Sequence, residues 1–407
     1  MDQPLLFEQI VKCCKTKARI GKLILKSTST FNQDVEIETP IFMPVGTSGA
    51  MKSVMPSELE QTGCRLMLCN TYHLASHPGE DVVHEIGGGC HGFIRWPHAI
   101  LTDSGGFQMV SLNKLTIINE DGVRFQSPYD RGREMFMSPE RCMEIQHKLG
   151  SNIIMQLDDV ISSTATDQKR FEEAVYRSIR WYDRAKRYHH QSGRDKLQSL
   201  YPIVQGGLDG SLRRISVREI VARDPPGIAI GGLSGGEEKD KFIRMVHIST
   251  EDLPQNKPRY LMGVGYAVDL LMSVALGCDQ FDCVYPTRTA RFGTALIGYG
   301  KQLFLSDKRY LNDFGPICCD CDCSTCLTTN RSYVCRLFRN KQPVACNLIT
   351  IHNIRFQMRF MESIRNAIKE QRFEKFIKKI LIYHFGENLK EYPEWIRFVL
   401  DTLKIEF

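Results

Sequence analysis

The chain repeats one local pattern eight times: a short apolar run stops at a polar or glycine-rich turn, and a longer segment follows. The runs are 40–45, 65–69, 99–102, 152–157, 200–204, 227–230, 260–264 and 278–284. Short apolar runs that alternate with helices are typical of parallel strands joined by crossover connections. Eight such units over roughly 250 residues match the scale of a (β/α)8 TIM barrel.

The connecting segments agree with this interpretation. In the stretch 170–190, Phe171, Val175, Ile179 and Tyr182 fall on one face of a helix. A doubly wound α/β sheet is the alternative, but no G-x-G-x-x-G motif follows the first run. We therefore predict an α/β protein built on a TIM barrel.

Segments outside the eight units predict additions to the barrel. Residues 1–40 indicate a helix at 5–14 and a hairpin formed by 18–25 and 34–37, and residues 41–300 hold the barrel with the catalytic site. A zinc-binding subdomain is expected over 301–360 and C-terminal helices that pack on the barrel over 361–407, with a long amphipathic helix predicted from 353 to 384.

Composition excludes several classes of protein. The 407 residues are 42% hydrophobic and 25% charged, which is ordinary for a globular protein, and no apolar run reaches the ~18 residues of a membrane span. The first residues do not read as a signal peptide, so fifteen cysteines indicate a reducing compartment. The net charge of +6 is modest, but residues 285–341 carry nine Lys/Arg against four Asp/Glu.

The last apolar run contains two aspartates and leads into a basic segment. Asp279 and Asp282 lie in the run, Pro286 ends it, and the expected loop carries Arg288 and Arg291. A carboxylate near the end of a buried strand is costly unless it is paired, bound to metal or used in catalysis. Guanidinium groups suit phosphate, so the arrangement suggests chemistry on a nucleotide; a structural Asp–Arg pair is the alternative.

Polar and glycine-rich residues follow most of the other runs as well. They are the segments 70–73, 103–108, 158–159, 205–207, 231–237 and 263–265. Because barrel active sites gather at the carboxyl ends of the strands, Asp103, Asp158 and Asp282 should meet at one opening. A single histidine such as His73 is more often structural, but these six segments together with Asp282 occupy seven corresponding positions, which favours an active site.

A second group of residues predicts a metal site. Cys321, Cys323 and Cys326 are tightly spaced, and His352 follows near the start of a helical stretch. Three thiolates and one imidazole form the closed tetrahedral set of a structural Zn²⁺ site, one ion per chain. Cys318 and Cys319 are nearby competitors for the metal, and Cys335 and Cys346 also lie in this region. The alternative is that these cysteines are reduced and bind no metal.

Six ordered motifs carry a family resemblance. They are Asp-Ser-Gly-Gly-Phe-Gln (103–108), Val-Gln-Gly-Gly-Leu-Asp (204–209), Ile-Gly-Gly-Leu-Ser-Gly-Gly-Glu (230–237), Tyr-Leu-Met-Gly-Val-Gly (260–265), Phe-Asp-Cys-Val-Tyr-Pro-Thr-Arg (281–288) and the Cys-x-Cys-x-x-Cys…His set. Together they resemble the tRNA-guanine transglycosylase family, and its eukaryotic queuine-inserting branch in particular, from about residue 17 to about residue 370. The divergent first 16 residues and the extra cysteines depart from the pattern.

The resemblance implies a base-exchange reaction at guanosine 34 of tRNAs with G34-U35-N36 anticodons, those for aspartate, asparagine, histidine and tyrosine. Asp282 would attack ribose C1′ and form a covalent intermediate, and Asp103 would be the general acid/base. Residues implied to bind the base are Asp103, Ser104, Gly105, Gly106, Phe107, Asp158, Gln205, Gly232, Leu233, Gly235 and Met262. Gly235 stands where bacterial relatives carry a branched apolar residue, which implies room for queuine.

The resemblance also implies the remaining contacts and partners. Residues expected to bind tRNA are Gly263, Val264, Gly265, Tyr266, Ala267, Val268, Asp269, Thr287, Arg288, Thr289, Ala290 and Arg291. Cys321, Cys323, Cys326 and His352 would hold zinc, and no nucleotide cofactor is expected. The protein would work in the cytoplasm with a paralogous accessory subunit; a homodimer and peripheral association with the mitochondrial outer membrane are left open.

Other functions remain as alternatives. The chain could itself be the non-catalytic, tRNA-binding subunit of such a heterodimer, but that subunit lacks catalytic residues and Asp103 and Asp282 stand here in intact motifs. A relative acting at position 15 would need further C-terminal RNA-binding domains, for which we expect no room before Phe407. A phosphate-binding metabolic barrel is disfavoured by the zinc set and the basic segment.

Overall fold

The structure, a computed structural model, describes residues 3–27, 34–106, 116–127, 129–130, 132–165 and 167–407. The strands are β1 (Leu5–Lys12), β2 (Arg19–Leu25), β3 (Val35–Thr39), β4 (Ile41–Gly46), β5 (Leu66–Asn70), β6 (Ala99–Asp103), β7 (Ile117–Ile118), β8 (Val123–Gln126), β9 (Glu134–Met137), β10 (Ile153–Met155), β11 (Ser199–Tyr201), β12 (Ile203–Val204), β13 (Ile228–Ile230), β14 (Arg259–Leu261), β15 (Gln280–Cys283), β16 (Thr294–Ile297) and β17 (Lys301–Phe304).

The α-helices of the same residues run between the strands and after them. They are α1 (Pro56–Gln61), α2 (Thr71–Ser76), α3 (Glu80–Gly87), α4 (Cys90–Ile94), α5 (Pro139–Leu149), α6 (Gln168–Gln191), α7 (Gly210–Val221), α8 (Lys239–Glu251), α9 (Ala267–Ala275), α10 (Tyr285–Ala290), α11 (Ser324–Thr328), α12 (Arg331–Arg339), α13 (Val344–Lys369), α14 (Phe373–Phe385) and α15 (Glu394–Leu403). None of these helices has the length and apolar character needed to cross a lipid bilayer.

The eight apolar runs form a TIM barrel, as predicted. A nine-stranded parallel sheet has the order β11-β10-β6-β5-β4-β15-β14-β13-β12, and its two end strands, β11 and β12, are consecutive in the chain. Only Pro202 separates them, and proline has no N–H to donate to a ladder. The Pro202 carbonyl still accepts a hydrogen bond from Ala229 N at 2.9 Å. Residues 199–204 therefore act as one interrupted strand that closes the barrel.

Alternate residues of the strands fill the barrel interior. Met43, Leu68, Leu101, Met155 and Tyr260 are all buried and belong to one apolar cluster. Residues of opposite parity, such as Phe42 and Phe281, pack outward in a second cluster shared with the helices. This alternation means that a strand residue two positions beyond an interior residue also faces inward, which places Asp282 inside the barrel opening.

The N-terminal segment contradicts one prediction. Residues 5–14 were expected to form a helix, but Leu5–Lys12 is strand β1, paired antiparallel with β2 and interrupted by a bulge between Gln9 and Val11. Strand β2 pairs in turn with β3, as the hairpin prediction requires. Leu5, Leu23 and Ile37 of this sheet join the interior cluster of the barrel. Burial of these side chains against the barrel selects the strand conformation.

The C-terminal segment follows the barrel as a hairpin and a set of helices. The hairpin is formed by β16 and β17. The single helix expected over 353–384 is in fact two helices, α13 and α14, because the chain turns at Gln371, which has a left-handed φ of 54°. The first of them begins earlier than expected, at Val344. Both helices bury apolar residues, among them Ile354 and Ile377, in the cluster outside the barrel.

Candidate active site

Asp103 ends strand β6 and is buried, with 9% of its surface exposed. Its Oδ2 accepts a hydrogen bond from Asn70 Nδ2 at 2.8 Å, and Asn70 ends the neighbouring strand β5. Burial, reinforced by the charge of Asp282, raises the pKa of Asp103 to about 8. Asp103 is therefore protonated at neutral pH and can act as a general acid.

Asp282 lies on β15 and is only partly exposed. Its Oδ1 accepts hydrogen bonds from Tyr260 Oη at 2.6 Å and from Gly263 N at 2.9 Å. Burial raises the pKa of Asp282, and the two donors oppose that rise because they stabilise the anion. Oδ2 makes no hydrogen bond to any described residue, so one carboxylate oxygen is fixed and the other is available. Sequence reasoning missed Tyr260, whose position inside an apolar run gave no signal.

Asp279, three residues before Asp282, has a structural role. Its carboxylate, which is fully buried, accepts from Arg19 Nε at 2.9 Å and from Arg19 Nη2 at 2.6 Å. Oδ2 also accepts from Arg259 N at 2.8 Å. The Asp–Arg pair considered as an alternative for this stretch thus exists, but it involves Asp279 and the N-terminal sheet rather than Asp282.

A third carboxylate, Asp158, follows strand β10. It accepts a short hydrogen bond from Gln205 Nε2, and burial raises its pKa to about 7. The next residue, Asp159, is fully buried and paired with Arg170 Nη2 at 2.5 Å and Arg177 Nη1 at 2.6 Å. These pairs attach helix α6 to the end of β10. The two ion pairs of Asp159 also fix the backbone beside Asp158. The sequence pattern gives no sign of these ion pairs.

The glycines after β6 permit close packing at the site. Gly105 has φ +80°, and an added Cβ would lie 2.3 Å from Tyr72 Cβ. At Gly106 an added Cβ would lie 2.9 Å from Asp158 Oδ1. Ser104 is buried beside them. Phe107, expected to stack on the base, lies outside the described residues.

The segment 231–237 lies next to Gln205. Gly232 has φ +65°, and a Cβ there would approach Gln205 Oε1 to 2.2 Å. Leu233 is partly buried and Gly235 exposed. A Cβ on Gly235 would lie 2.7 Å from Ser163 Oγ. Met262, after β14, is partly exposed close to Gly231, where a Cβ would lie 3.4 Å from its sulfur.

The segment expected to be an arginine-bearing loop is a helix. Residues Tyr285–Ala290 form α10, with Pro286 in its first turn, where the missing N–H is tolerated. Arg288 and Arg291 are exposed, and neither forms an ion pair with a described residue. Thr287 and Ala290 are buried, whereas Thr289 is partly exposed. The two guanidinium groups are thus free to bind phosphate.

The other segment expected to bind tRNA is mostly buried. Gly263 and Tyr266 are exposed, and Val268 is partly exposed. The Asp269 side chain is buried and paired with Lys239, whose ammonium also lies 5.2 Å from the centre of the Tyr266 ring. Val264, Gly265 and Ala267 are buried. A direct contact with RNA from this segment would involve its exposed residues.

The four residues predicted to bind zinc meet at one point. One donor atom from each of Cys321, Cys323, Cys326 and His352 lies within 4.8 Å of all the others. His352 Nδ1 is 3.2 Å from Cys326 Sγ, and Nε2 donates to the Leu296 carbonyl at 2.8 Å, so Nδ1 is left as the ligand. The cluster excludes the competing cysteines 318, 319, 335 and 346. Its donor chemistry fits structural Zn²⁺.

Comparisons with known proteins identify the family. The family model described as queuine tRNA-ribosyltransferase matches residues 13–385. The chain is 47% identical to the queuine tRNA-ribosyltransferase catalytic subunit of Schizosaccharomyces pombe, covering 98% of this chain and 96% of the relative. It is 46% identical to the catalytic subunit of Caenorhabditis elegans, covering 91% and 94%. It is also 45% identical to the queuine tRNA-ribosyltransferase of Dictyoglomus turgidum, covering 94% and 96%.

Because the family model and the relatives match nearly the whole chain, this protein belongs to the queuine tRNA-ribosyltransferase family, the pentosyltransferases that carry out tRNA-guanine transglycosylation.

Proposed function

We propose that this protein replaces guanine at position 34 of tRNAs for aspartate, asparagine, histidine and tyrosine with queuine, by double displacement through an Asp282–ribosyl intermediate. The observation that carries the proposal is a pair of carboxylates that differ in their hydrogen bonding, although burial raises the pKa of both. Asp282 has an oxygen held by two donors, whereas Asp103 has its pKa raised to about 8. One group is suited to attack and the other to donate a proton.

In the first displacement, Asp282 Oδ2 forms an ester bond with ribose C1′ while the bond from C1′ to N9 of guanine breaks. The proton of Asp103 passes to the departing guanine, which leaves neutral, and Asp103 becomes anionic. Positive charge develops on the sugar in the transition state, so the nearby carboxylate also stabilises it electrostatically. Asp103 suits this step because it is protonated below about pH 8.

In the second displacement, queuine gives its N9 proton to anionic Asp103, and N9 bonds to C1′. The ester breaks, and Asp282 leaves as a carboxylate. Two inversions retain the configuration at C1′, as in retaining glycosidases. One N-glycosidic bond replaces another, so no nucleotide cofactor is needed.

Recognition divides between the base and the RNA backbone. Asp158 and Gln205 form one side of the base site, and the Gly232 backbone lies against Gln205. Arg288 and Arg291 would bind phosphates next to the wobble nucleotide. Extracting a base from the anticodon stack costs a few kcal/mol, which such phosphate contacts offset. Zinc would be bound by the Cys3His cluster and would hold the start of α11 against α13.

The test is exchange of radiolabelled guanine, and then queuine, into tRNA by the purified chain, with and without a paralogous subunit. Wild-type protein should form a tRNA adduct that survives denaturing gels, whereas Asp282→Ala should bind tRNA and form none. An adduct that persists in Asp282→Ala excludes Asp282 as nucleophile. Failure of both base exchanges, with the partner present, would favour the alternative that the chain is a non-catalytic tRNA-binding subunit.

A further inference from the structure

Arg213 is a fully buried cation directly behind the base site. It lies on α7, shows 0% exposure, and forms no ion pair with any carboxylate of the described residues. Nε donates to the Gly207 carbonyl at 2.8 Å, and Nη2 donates to the carbonyls of Gly231 at 2.9 Å and Gly232 at 3.5 Å. Glu237 of the same loop acts on this charge only through space, and a buried charge without a direct ion pair is costly. Its retention therefore points to a role for the carbonyl groups that it holds.

The backbone N–H groups of residues 231–235 divide into those that donate a hydrogen bond and those that do not. Gly231 N donates to Val204 O at 3.0 Å. Ser234 N and Gly235 N donate to the two carboxylate oxygens of Glu237 at 2.6 and 2.8 Å. The N–H groups of Gly232 and Leu233 donate to no acceptor in the described part of the chain. The loop therefore presents two adjacent amide donors that are free for a ligand.

These two donors belong to the peptide units that Arg213 holds. In a trans peptide, the C=O and the following N–H point in opposite directions. Nη2 draws the Gly231 and Gly232 carbonyls toward α7, so the N–H groups of Gly232 and Leu233 are directed away from it. Gly232 also packs against Gln205, whose amide binds Asp158. The free donors are thus next to the side chains that face the base.

We propose that Arg213 is a positioning residue for base recognition: its guanidinium fixes two loop carbonyls so that the Gly232 and Leu233 amides bind acceptor atoms of the purine. The inference rests on the proposed base exchange. Ser249 Oγ, 3.3 Å from Nη1, and helix α8 hold the guanidinium from the other side. Because no described carboxylate accepts a hydrogen bond from Arg213, its N–H groups remain available to bind these carbonyls.

A second buried arginine supplies a matched control. Arg259 also donates to backbone carbonyls, from Nη2 to Leu253 at 2.6 Å and from Nη1 to Gly277 at 3.4 Å. It is the first residue of strand β14, at the end of the barrel where its backbone N–H donates to Asp279. Arg213→Met and Arg259→Met each remove one buried guanidinium and keep a side chain of similar length. Both variants should melt below wild type, so thermal stability measures the structural role that they share.

The experiment measures exchange of radiolabelled guanine into tRNA, with KM for guanine and KM for tRNA determined separately. We expect Arg213→Met to raise the KM for guanine about 10- to 100-fold, the effect of losing hydrogen bonds that a charged donor aligns. The KM for tRNA should stay within about twofold, and Arg259→Met should leave both unchanged. Arg213→Lys, which keeps the charge but can align fewer carbonyls, should give an intermediate KM for guanine.

Competition with 2-aminopurine, which lacks the carbonyl oxygen of guanine, gives a second readout. Wild type should prefer guanine, and Arg213→Met should lose most of that preference. Equal KM for guanine in Arg213→Lys, Arg213→Met and wild type would overturn the inference, as would equal shifts in Arg213→Met and Arg259→Met. If wild type itself exchanges no guanine, the proposed function fails instead, so the two failures are distinguishable.

Discussion

Two aspartates three residues apart should respond oppositely to the same substitution. Asp279→Ala should destabilise the protein and leave chemistry intact, whereas Asp282→Ala should abolish chemistry and leave the fold intact. Three residues of strand span about 10 Å, and Arg19 neutralises the charge of Asp279, so that charge acts only weakly on Asp282. The buried Asp279 carboxylate is paired with Arg19, whereas Asp282 is partly exposed and has a free oxygen.

The structure sets the size of each effect. Removing one partner of a buried ion pair costs about 3–5 kcal/mol, because Arg19 would remain buried without its counter-ion. At about 2.1 cal/mol/K per residue, the 407 residues have an unfolding entropy of about 0.85 kcal/mol/K, so Tm should fall by about 4–6 °C. Asp282→Ala should lower kcat by about 1,000-fold or more, as expected on loss of a nucleophile.

The assay combines thermal melting with guanine exchange at about 20 °C below the Tm of the weakest variant. Asp279→Asn, which keeps the shape but not the charge, is the matched control and should lose nearly as much stability as Asp279→Ala. A melting temperature of Asp279→Ala equal to that of wild type would refute the structural role. Residual exchange above about 10% in Asp282→Ala would refute the catalytic one.

Further predictions concern pH, RNA contacts, the base pocket and the metal. The pKa of Asp103 is about 8 against an ordinary 3.8, so between these pH values Asp103 is protonated in the folded protein and ionised in the unfolded chain. Because the proposed general acid loses its proton there, kcat should fall as pH rises through about 8. Over the same pH range Asp103 makes the free energy of unfolding decline as pH rises. Thermal melts of Asp103→Asn should not show this decline. Replacing Arg288 and Arg291 by Ala should raise the KM for tRNA, reduce the salt slope of binding by about 1.4, and leave the KM for guanine unchanged. Gly235→Val should weaken the use of queuine and leave the use of guanine unchanged. The control Ser163→Ala removes the neighbouring hydroxyl without adding volume and should leave the use of both bases unchanged. Equal queuine turnover in Gly235→Val and wild type would contradict this prediction. Chelation of metal from the Cys3His cluster should lower Tm, and added Zn²⁺ should restore it.

The barrel was predictable because its signal is local and repeated. Strands that are buried on both faces are continuously apolar, so they can be recognised in the sequence as short apolar runs. Each of the eight runs overlaps a strand of the nine-stranded sheet. The long helix predicted over 170–190 matches α6 (Gln168–Gln191) for the related reason that its apolar stripe has helical period. The metal cluster was also predictable, because thiolates two and three residues apart have few other uses in one short segment.

The errors in the sequence predictions arise from contacts between distant segments. Residues 5–14 could pass locally for a helix, and only pairing with β2 and burial on the barrel select a strand. Pro286 suggested a loop, yet proline fits the first turn of a helix as well. The role of Tyr260 depends on a hydroxyl that reaches Asp282 from the adjacent strand, and strand order is not visible in the local pattern.

The carboxylates at the two ends of the barrel have different surroundings. At the opening, burial raises the pKa values of Asp103, Asp158 and Asp282, so each carboxylate is less stable as an anion in the folded protein than in the unfolded chain. Near the N-terminal sheet, Asp279 has three hydrogen-bond donations from Arg19 and the backbone of Arg259, which stabilise its charge. The proposed reaction needs a transferable proton on Asp103 and a free oxygen on Asp282, so hydrogen-bond donors cannot saturate both carboxylates. The raised pKa values at the opening are therefore what the proposed reaction requires, whereas the Asp279–Arg19 pair lies at the other end of the barrel and takes no part in that reaction.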